Sequence, residues 1–415
     1  MLTTRRRAAA ALLVLALGAT ACGGDGDDDP ADPSGGTFSI TITTPENPLI
    51  PTNTTESEGN LVLSGLFTGL IEYDPETSEA VYSGVAESIE SDDSTLWTVR
   101  LKDGWTFHDG TPVDAASFVD AWNYGALSTN AQGASYFFSN IVGYADVQAA
   151  EGGTPAATAM SGLKVVDPRT FTVQLSSPFA QFPLTVGYNA FFPLPKAFFD
   201  DPVAFGKQPI GNGPFRADEP FVPDVGFTMS RYDDYAGEPA KADGVQVKVI
   251  ADINTQYLEI QAGNLDVLDQ IPPDAITSAP DEFGDRYLTR PSSSTTYLNF
   301  PTYDPRFADK RVRQAFSMAI DRQAIVDAVF DGTREPAYSA ISPVVDGSRG
   351  DACDYCQYKP DEAKALLDQT DFDTSTPVDL WFNAAAGHDE WVQAVGNNLR
   401  DALGITYRLQ AALQP

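Results

Sequence analysis

The chain has 415 residues, 42% of them hydrophobic and 11% aromatic, a composition that supports roughly two or three domains with real cores and excludes disorder throughout. Its formal charge of −32 argues against nucleic acid or an anionic membrane surface as a partner, because like-charge repulsion would replace the counterion release that drives such binding.

Arg5, Arg6 and Arg7 precede the apolar run AAAALLVLALGA (8–19), and small residues lead to Cys22. This pattern predicts an export signal. The run is too short for a transmembrane helix, which needs about 20 apolar residues, and the acidic, Gly-rich stretch 23–36 reads as a flexible tether. The segment resembles a bacterial lipoprotein signal, with Ala19 standing where that pattern favours Leu. The resemblance implies cleavage before Cys22 and a lipid on it, so that residues 1–22 are the signal peptide.

The region 96–124 is the most legible. Trp97, Val99 and Leu101 alternate with Thr98, Arg100 and Lys102, which predicts a strand with one buried face. Asp103-Gly104 predicts a two-residue hairpin turn, after which Trp105 and Phe107 resume the alternation. Asp109-Gly110 predicts a second turn. Asp114 is placed to cap a helix running to about Tyr124, with Val113 and Phe118 as a hydrophobic staple.

Within WTFHDGTP, His108 and Asp109 are neighbours in a chain with two histidines. A general base with its orienting carboxylate, or two metal ligands, would use these residue types. However, His108 falls on the polar phase of a strand that ends in a turn. The expectation is a hydrogen bond to backbone or carboxylate there. The other histidine, His388, is remote in sequence.

VQVKVI (245–250), NTQYLEIQA (254–262) and LDVLDQI (265–271) predict a strand, helix, strand unit with Gly263 after the helix. In 309–332, Val312, Phe316, Ala319 and Ile320 form an apolar stripe, Asp321 caps a second helix with Ile320 and Ile325 as staple, and Gly332 closes it. Lys310, Arg311, Arg313 and Arg322 read as a solvated face. Cys353 and Cys356 form a CxxC, compatible with half a zinc site, a redox motif or a local disulfide. No second CxxC completes a metal site, and an oxidising compartment favours the disulfide. VDLWFNA (378–384), a helix capped by Asp389 with Trp391, Val395 and Leu399 on one stripe, Gly404 and ITYRL form a second such unit. GxSxG, HExxH, GxxxxGK[ST] and a strand-linked GxGxxG are all missing from the sequence, so it offers no catalytic signature.

Residues 66–122, IGNGPFR (210–216), YLNF (297–300) and 309–332 together resemble the extracytoplasmic solute-binding proteins of peptide-type ABC importers, the family 5 oligopeptide/dipeptide-binding group. The resemblance implies an α/β fold of the two-lobed periplasmic-binding-protein class, type II-like, with an inserted subdomain and hinge strands. The first lobe would comprise 36–65 and 190–290, the insertion 66–189, and the second lobe 291–415, its last part missing. Family chains continue beyond this point, and the peptide-binding members place there the carboxylate that pairs with the peptide ammonium.

The implied function is capture of a small peptide as an extended strand in the interlobe cleft and delivery to permease subunits. It would be performed by a lipid-anchored monomer outside the cytoplasm, without catalysis, cofactor, metal or nucleic acid. A nickel chelate, haem, an opine or an oligosaccharide as ligand, or a sensing role, would use the same fold. Phe67, Tyr136, Phe138, Tyr297, Asn299 and Asn383 are the candidate ligand contacts. Gly211 and Gly213 are expected to serve a backbone bend.

Overall fold

The computed structural model describes residues 35–412 except 76, 78, 151, 346, 385 and 386. The predicted signal, Cys22 and nearly all of the tether lie outside the described residues. Among these, no helix is long and apolar enough to cross a membrane.

β1 (Thr37–Ile42) leads to α1 (Ser57–Leu66) and a small ribbon, β2 (Glu72–Tyr73) with β3 (Ala80–Val81). β4 (Ala86–Glu90), β5 (Leu96–Leu101), β6 (Leu163–Asp167) and β7 (Thr170–Gln174) form an antiparallel sheet in the order β4-β5-β7-β6. Between β5 and β6, α2 (Ala115–Ala126) lays its buried face on this sheet, with Phe118 stacked on Phe171 at 5.8 Å and Trp122 edge-on to it at 5.5 Å. Trp122 is fully buried, and its Nε1–H donates to Phe191 O at 3.0 Å, so the indole brings no unsatisfied donor into the core.

Three short helices follow, α3 (Phe182–Thr185), α4 (Lys196–Asp200) and α5 (Pro202–Phe205). β8 (Phe215–Ala217), β9 (Gly226–Arg231) and β10 (Gly244–Val249) then complete a second sheet, β1-β10-β9-β8, in which β1 and β10 run parallel. After α6 (Ile253–Gln261) and α7 (Ala279–Phe283) the chain passes to α8 (Lys310–Met318), α9 (Arg322–Phe330) and α10 (Pro360–Leu367). It ends with β11 (Val378–Asn383), α11 (Asp389–Leu403) and β12 (Tyr407–Ala412), whose strands pair in parallel.

The apolar side chains gather into separate cores. One runs from Ile42 to Val247 and is shared by the two four-stranded sheets, so the segments expected as first lobe and insertion pack as a continuous body. A second takes its buried residues from Phe307 to Ile405, with Leu298 and Phe300 among those packed against it, and a small third joins Tyr257, Ala275 and Ala279.

Four local expectations are corrected. Asp103-Gly104 turns the chain, with Gly104 at φ +85°, but not into a hairpin on β5. Both edges of β5 are already paired, to β4 and β7. The hairpin forms instead around Asp109-Gly110, where Phe107 N–H donates to Thr111 O and Val113 N–H to Trp105 O. The segment 265–271 does not return as a strand. It makes one parallel bridge, Ile40 to Val267, on the outer side of β1, and the Asp266 carboxylate takes the Ser39 N–H at 2.8 Å.

Asp389 is the first residue of α11 rather than its cap; His388 precedes it as N-cap and makes no side-chain capping bond. Finally, Arg322 is not part of a solvated face. Its guanidinium donates to Ser317 O (2.9 Å), Cys356 O (2.9 Å) and Ser317 Oγ (2.9 Å), tying α8, α9 and the cysteine loop together. In that loop Cys353 and Cys356 are disulfide-bonded, with Cα atoms 5.4 Å apart.

Candidate functional site

His108 and Asp109 do not act on each other. The Asp109 carboxylate accepts from Thr111 N–H (2.9 Å) and Thr111 Oγ1–H (2.6 Å), closing its own turn. The histidine reaches a different segment: its N–H donates to Gly211 O at 2.8 Å, Gly211 N–H donates to its Nδ1 at 3.1 Å, and its Nε2 lies 3.1 Å from Gly213 O.

An accepting Nδ1 and a carbonyl opposite Nε2 define a neutral ring with its proton on Nε2. Burial pushes its pKa down to about 4, against the opposing pull of the Gly213 carbonyl. The ring stands edge-on to Tyr232 at 4.9 Å, and Tyr232 OH donates to Phe107 O at 3.0 Å. With both nitrogens bonded to backbone, His108 joins the 105–113 hairpin to the IGNGPF stretch. Among the described residues no set of three or more His, Cys, Asp and Glu is arranged as a metal site.

Gly213 lies in the expected bend, and both glycines of IGNGPF also serve close approach. A Cβ on Gly211 would lie 1.8 Å from Leu66 O, and one on Gly213 2.5 Å from Phe67 N. Gly213 N–H donates to Leu66 O at 2.9 Å. Between them the side-chain amide of Asn212, fully buried, accepts from Thr68 N–H (3.1 Å) and donates to Thr68 O (2.9 Å), so the stretch is held against the last residue of α1 and the segment that follows it.

The six candidate ligand contacts divide by exposure. Phe67 is 2% exposed, with its ring between Phe192 (6.0 Å) and Phe205 (6.5 Å). Phe138 is fully buried against Phe191 (5.3 Å) and Trp122 (6.3 Å). These two are core residues, a correction with a simple cause: a large apolar ring gains most by full burial.

Tyr136 is 59% exposed and stacks on Phe137 at 4.6 Å. Tyr297 is 71% exposed, and Asn299 and Asn383 are also exposed. In YLNF, Leu298 and Phe300 turn toward the second core, Phe300 edge-on to Phe316 at 5.8 Å, and leave Tyr297 and Asn299 outside. β11 alternates in the same way: Val378 and Leu380 face the core, whereas Trp381 is 66% exposed. Trp381 was missed as a candidate. Its signal was the period of two, which places it on the same side as Asn383.

Contacts also link residues 273–292 to those around the second core. Thr277 Oγ1–H donates to Asp331 Oδ2 at 3.2 Å, and Ser342 Oγ–H to Ser292 O at 2.7 Å. Pro273 Cδ lies 3.6 Å from where a Cβ on Gly387 would stand. Beside it, His388 Nδ1 accepts from Trp391 Nε1–H at 3.1 Å; burial first, then the nearby Arg334 charge, lowers its pKa. Tyr297 and Asn299 therefore lie on the stretch between the third core and the second, with contacts between residues that precede it and residues that follow it.

The model of the bacterial extracellular solute-binding proteins, family 5, matches residues 80–414. The periplasmic murein peptide-binding protein MppA of Escherichia coli is 28% identical over 360 residues, covering 84% of this chain and 66% of MppA. The periplasmic oligopeptide-binding protein OppA of Salmonella typhimurium is 28% identical, covering 83% and 65%. The chain thus spans just under two thirds of the length of these relatives. A solved structure of the E. coli murein tripeptide binding protein MppA superposes with a TM-score of 0.80 at 26% identity, over 92% of this chain and 75% of that one. The unliganded open form of MppA gives 0.64 at 26% identity, over 91% and 74%. Together these matches place the protein in family 5 of the bacterial extracellular solute-binding proteins.

Proposed function

We propose that this protein captures short peptides between two lobes and hands them to the permease of an ABC importer, working as an extracytoplasmic monomer tethered through a lipid on Cys22. The observation that carries the reading is the family match across residues 80–414, joined to relatives whose names record peptide binding. The lobes are 36–65 with 190–290, carrying the insertion 66–189, and 291 onward. Tyr297 and Asn299 on the joining stretch, Asn383 and Trp381 on β11, and Tyr136 are the exposed side chains offered to ligand. The cleft holds its peptide by backbone hydrogen bonds, so side-chain selectivity is broad. Binding both lobes at once favours the closed arrangement, and the role is capture rather than catalysis.

A thermal-shift screen of the protein against di- to pentapeptides, sugars and metal chelates tests this. A peptide at a hundred times its Kd adds about 2.7 kcal/mol of stability. A melt raised by an oligosaccharide or chelate and by no peptide overturns the peptide reading. For the anchor, a palmitate analogue fed to cells marks the wild-type chain and leaves Cys22→Ala unmarked; equal labelling of the two removes the lipid.

A further inference from the structure

The inserted region holds a pocket of about 220 Å³, distinct from the stretch that joins the lobes. Phe137, Phe179, Phe182 and Phe191 line it together with Tyr136 and the aliphatic Ile141 and Leu175, with the exposed Ser139 beside them and Thr185 supplying a hydroxyl oxygen. The Thr185 hydroxyl donates to Phe182 O at 2.8 Å, which leaves its oxygen able to accept.

We infer that the pocket is a binding site for one phenolic ring, either a free phenol or the side chain of a tyrosyl residue in a peptide. Size supports one ring: a dry apolar cavity of about 150 Å³ holds benzene, and this one is larger by room for a substituent. Wall chemistry supports an aromatic guest, since four phenyl rings give edge and face contacts that an aliphatic guest uses less well. The Thr185 oxygen, an acceptor in the lining, favours a guest that brings a hydroxyl donor over a plain hydrocarbon. The site shares Tyr136 with the side chains offered to peptide, but free-phenol binding to it does not rest on the peptide reading and is tested separately.

Calorimetric titration of the protein with p-cresol and with N-acetyl-tyrosinamide tests it, beside the Ser139→Trp variant, in which an indole fills the mouth. Saturable p-cresol binding that weakens about tenfold or more in the variant supports the site. Binding of p-cresol alone assigns it to free phenols, and binding of both ligands to tyrosyl side chains as well. Crystals soaked in 4-bromophenol fix the position whatever the variant's folding: the bromine is expected between Phe179, Phe182 and Phe191. No saturable binding of p-cresol, an unchanged affinity in folded Ser139→Trp, or a bromine found only elsewhere overturns the inference.

Discussion

His108 shows how a residue type associated with chemistry can be used for assembly. The ring is held neutral with its pKa near 4, below the ordinary 6.5, because burial disfavours the cation and Nδ1 must stay unprotonated to accept from Gly211. An unfolded chain takes up a proton on this side chain once the pH drops below about 6.5. The stabilisation from His108 is therefore complete above that value and is lost as the pH falls toward 4, a total of about 3 kcal/mol. Urea unfolding at pH 7.5 and pH 4.5 should show a larger loss for wild type than for His108→Ala, since acidic groups common to both cancel in the comparison. Equal losses would mean that the ring titrates normally in the folded protein. The sequence announced the turn and the polar phase of His108, but not its partner, which lies 103 residues away in the chain.

Local signals decided the elements well where one residue or one turn sufficed. Asp114 caps α2 as its position predicts, accepting from Ser117 N–H at 3.0 Å, and Ser117 Oγ accepts from Asp114 N–H at 3.3 Å in return. Replacing Asp114 with Ala should lower stability by about 1 kcal/mol, read as a reduced urea midpoint with an unchanged slope; Asp114→Ser should recover most of it. Pairing was less legible. Asp103-Gly104 has hairpin chemistry, yet β5 is claimed on both edges by strands that begin and end elsewhere in the chain. LDVLDQI has strand composition, yet Asp266 uses its carboxylate where a ladder bond would form. In both cases a non-local partner overrode a sound local preference. Arg322 looked solvated for a similar reason: its acceptors are carbonyls of Ser317 and the distant Cys356, which no helical wheel displays.

At the scale of the molecule the family was legible, while of the six candidate ligand contacts four are exposed and two are core residues. Tyr297 and Asn299 are exposed, whereas Phe67 and Phe138 were claimed by a core whose extent depends on how the sheets stack. How the two proposed lobes meet was not in the sequence at all, and it can be tested. Thr277 and Asp331 lie on opposite sides of the joining stretch, are both exposed, and share one hydrogen bond of 3.2 Å. Such a bond contributes about 1 kcal/mol net. If it forms only when the bodies are together, its loss shifts the open-to-closed ratio about fivefold toward open and weakens a ligand that needs closure by up to the same factor. Single-molecule energy transfer between dyes at Val203→Cys and Gln369→Cys should show the open fraction rising in Asp331→Ala and in Thr277→Val. The double variant should match either single one, because only one bond is there to lose. An open fraction unmoved by either substitution would mean that the contact persists in both arrangements or in neither, and that closure is governed by the ligand alone.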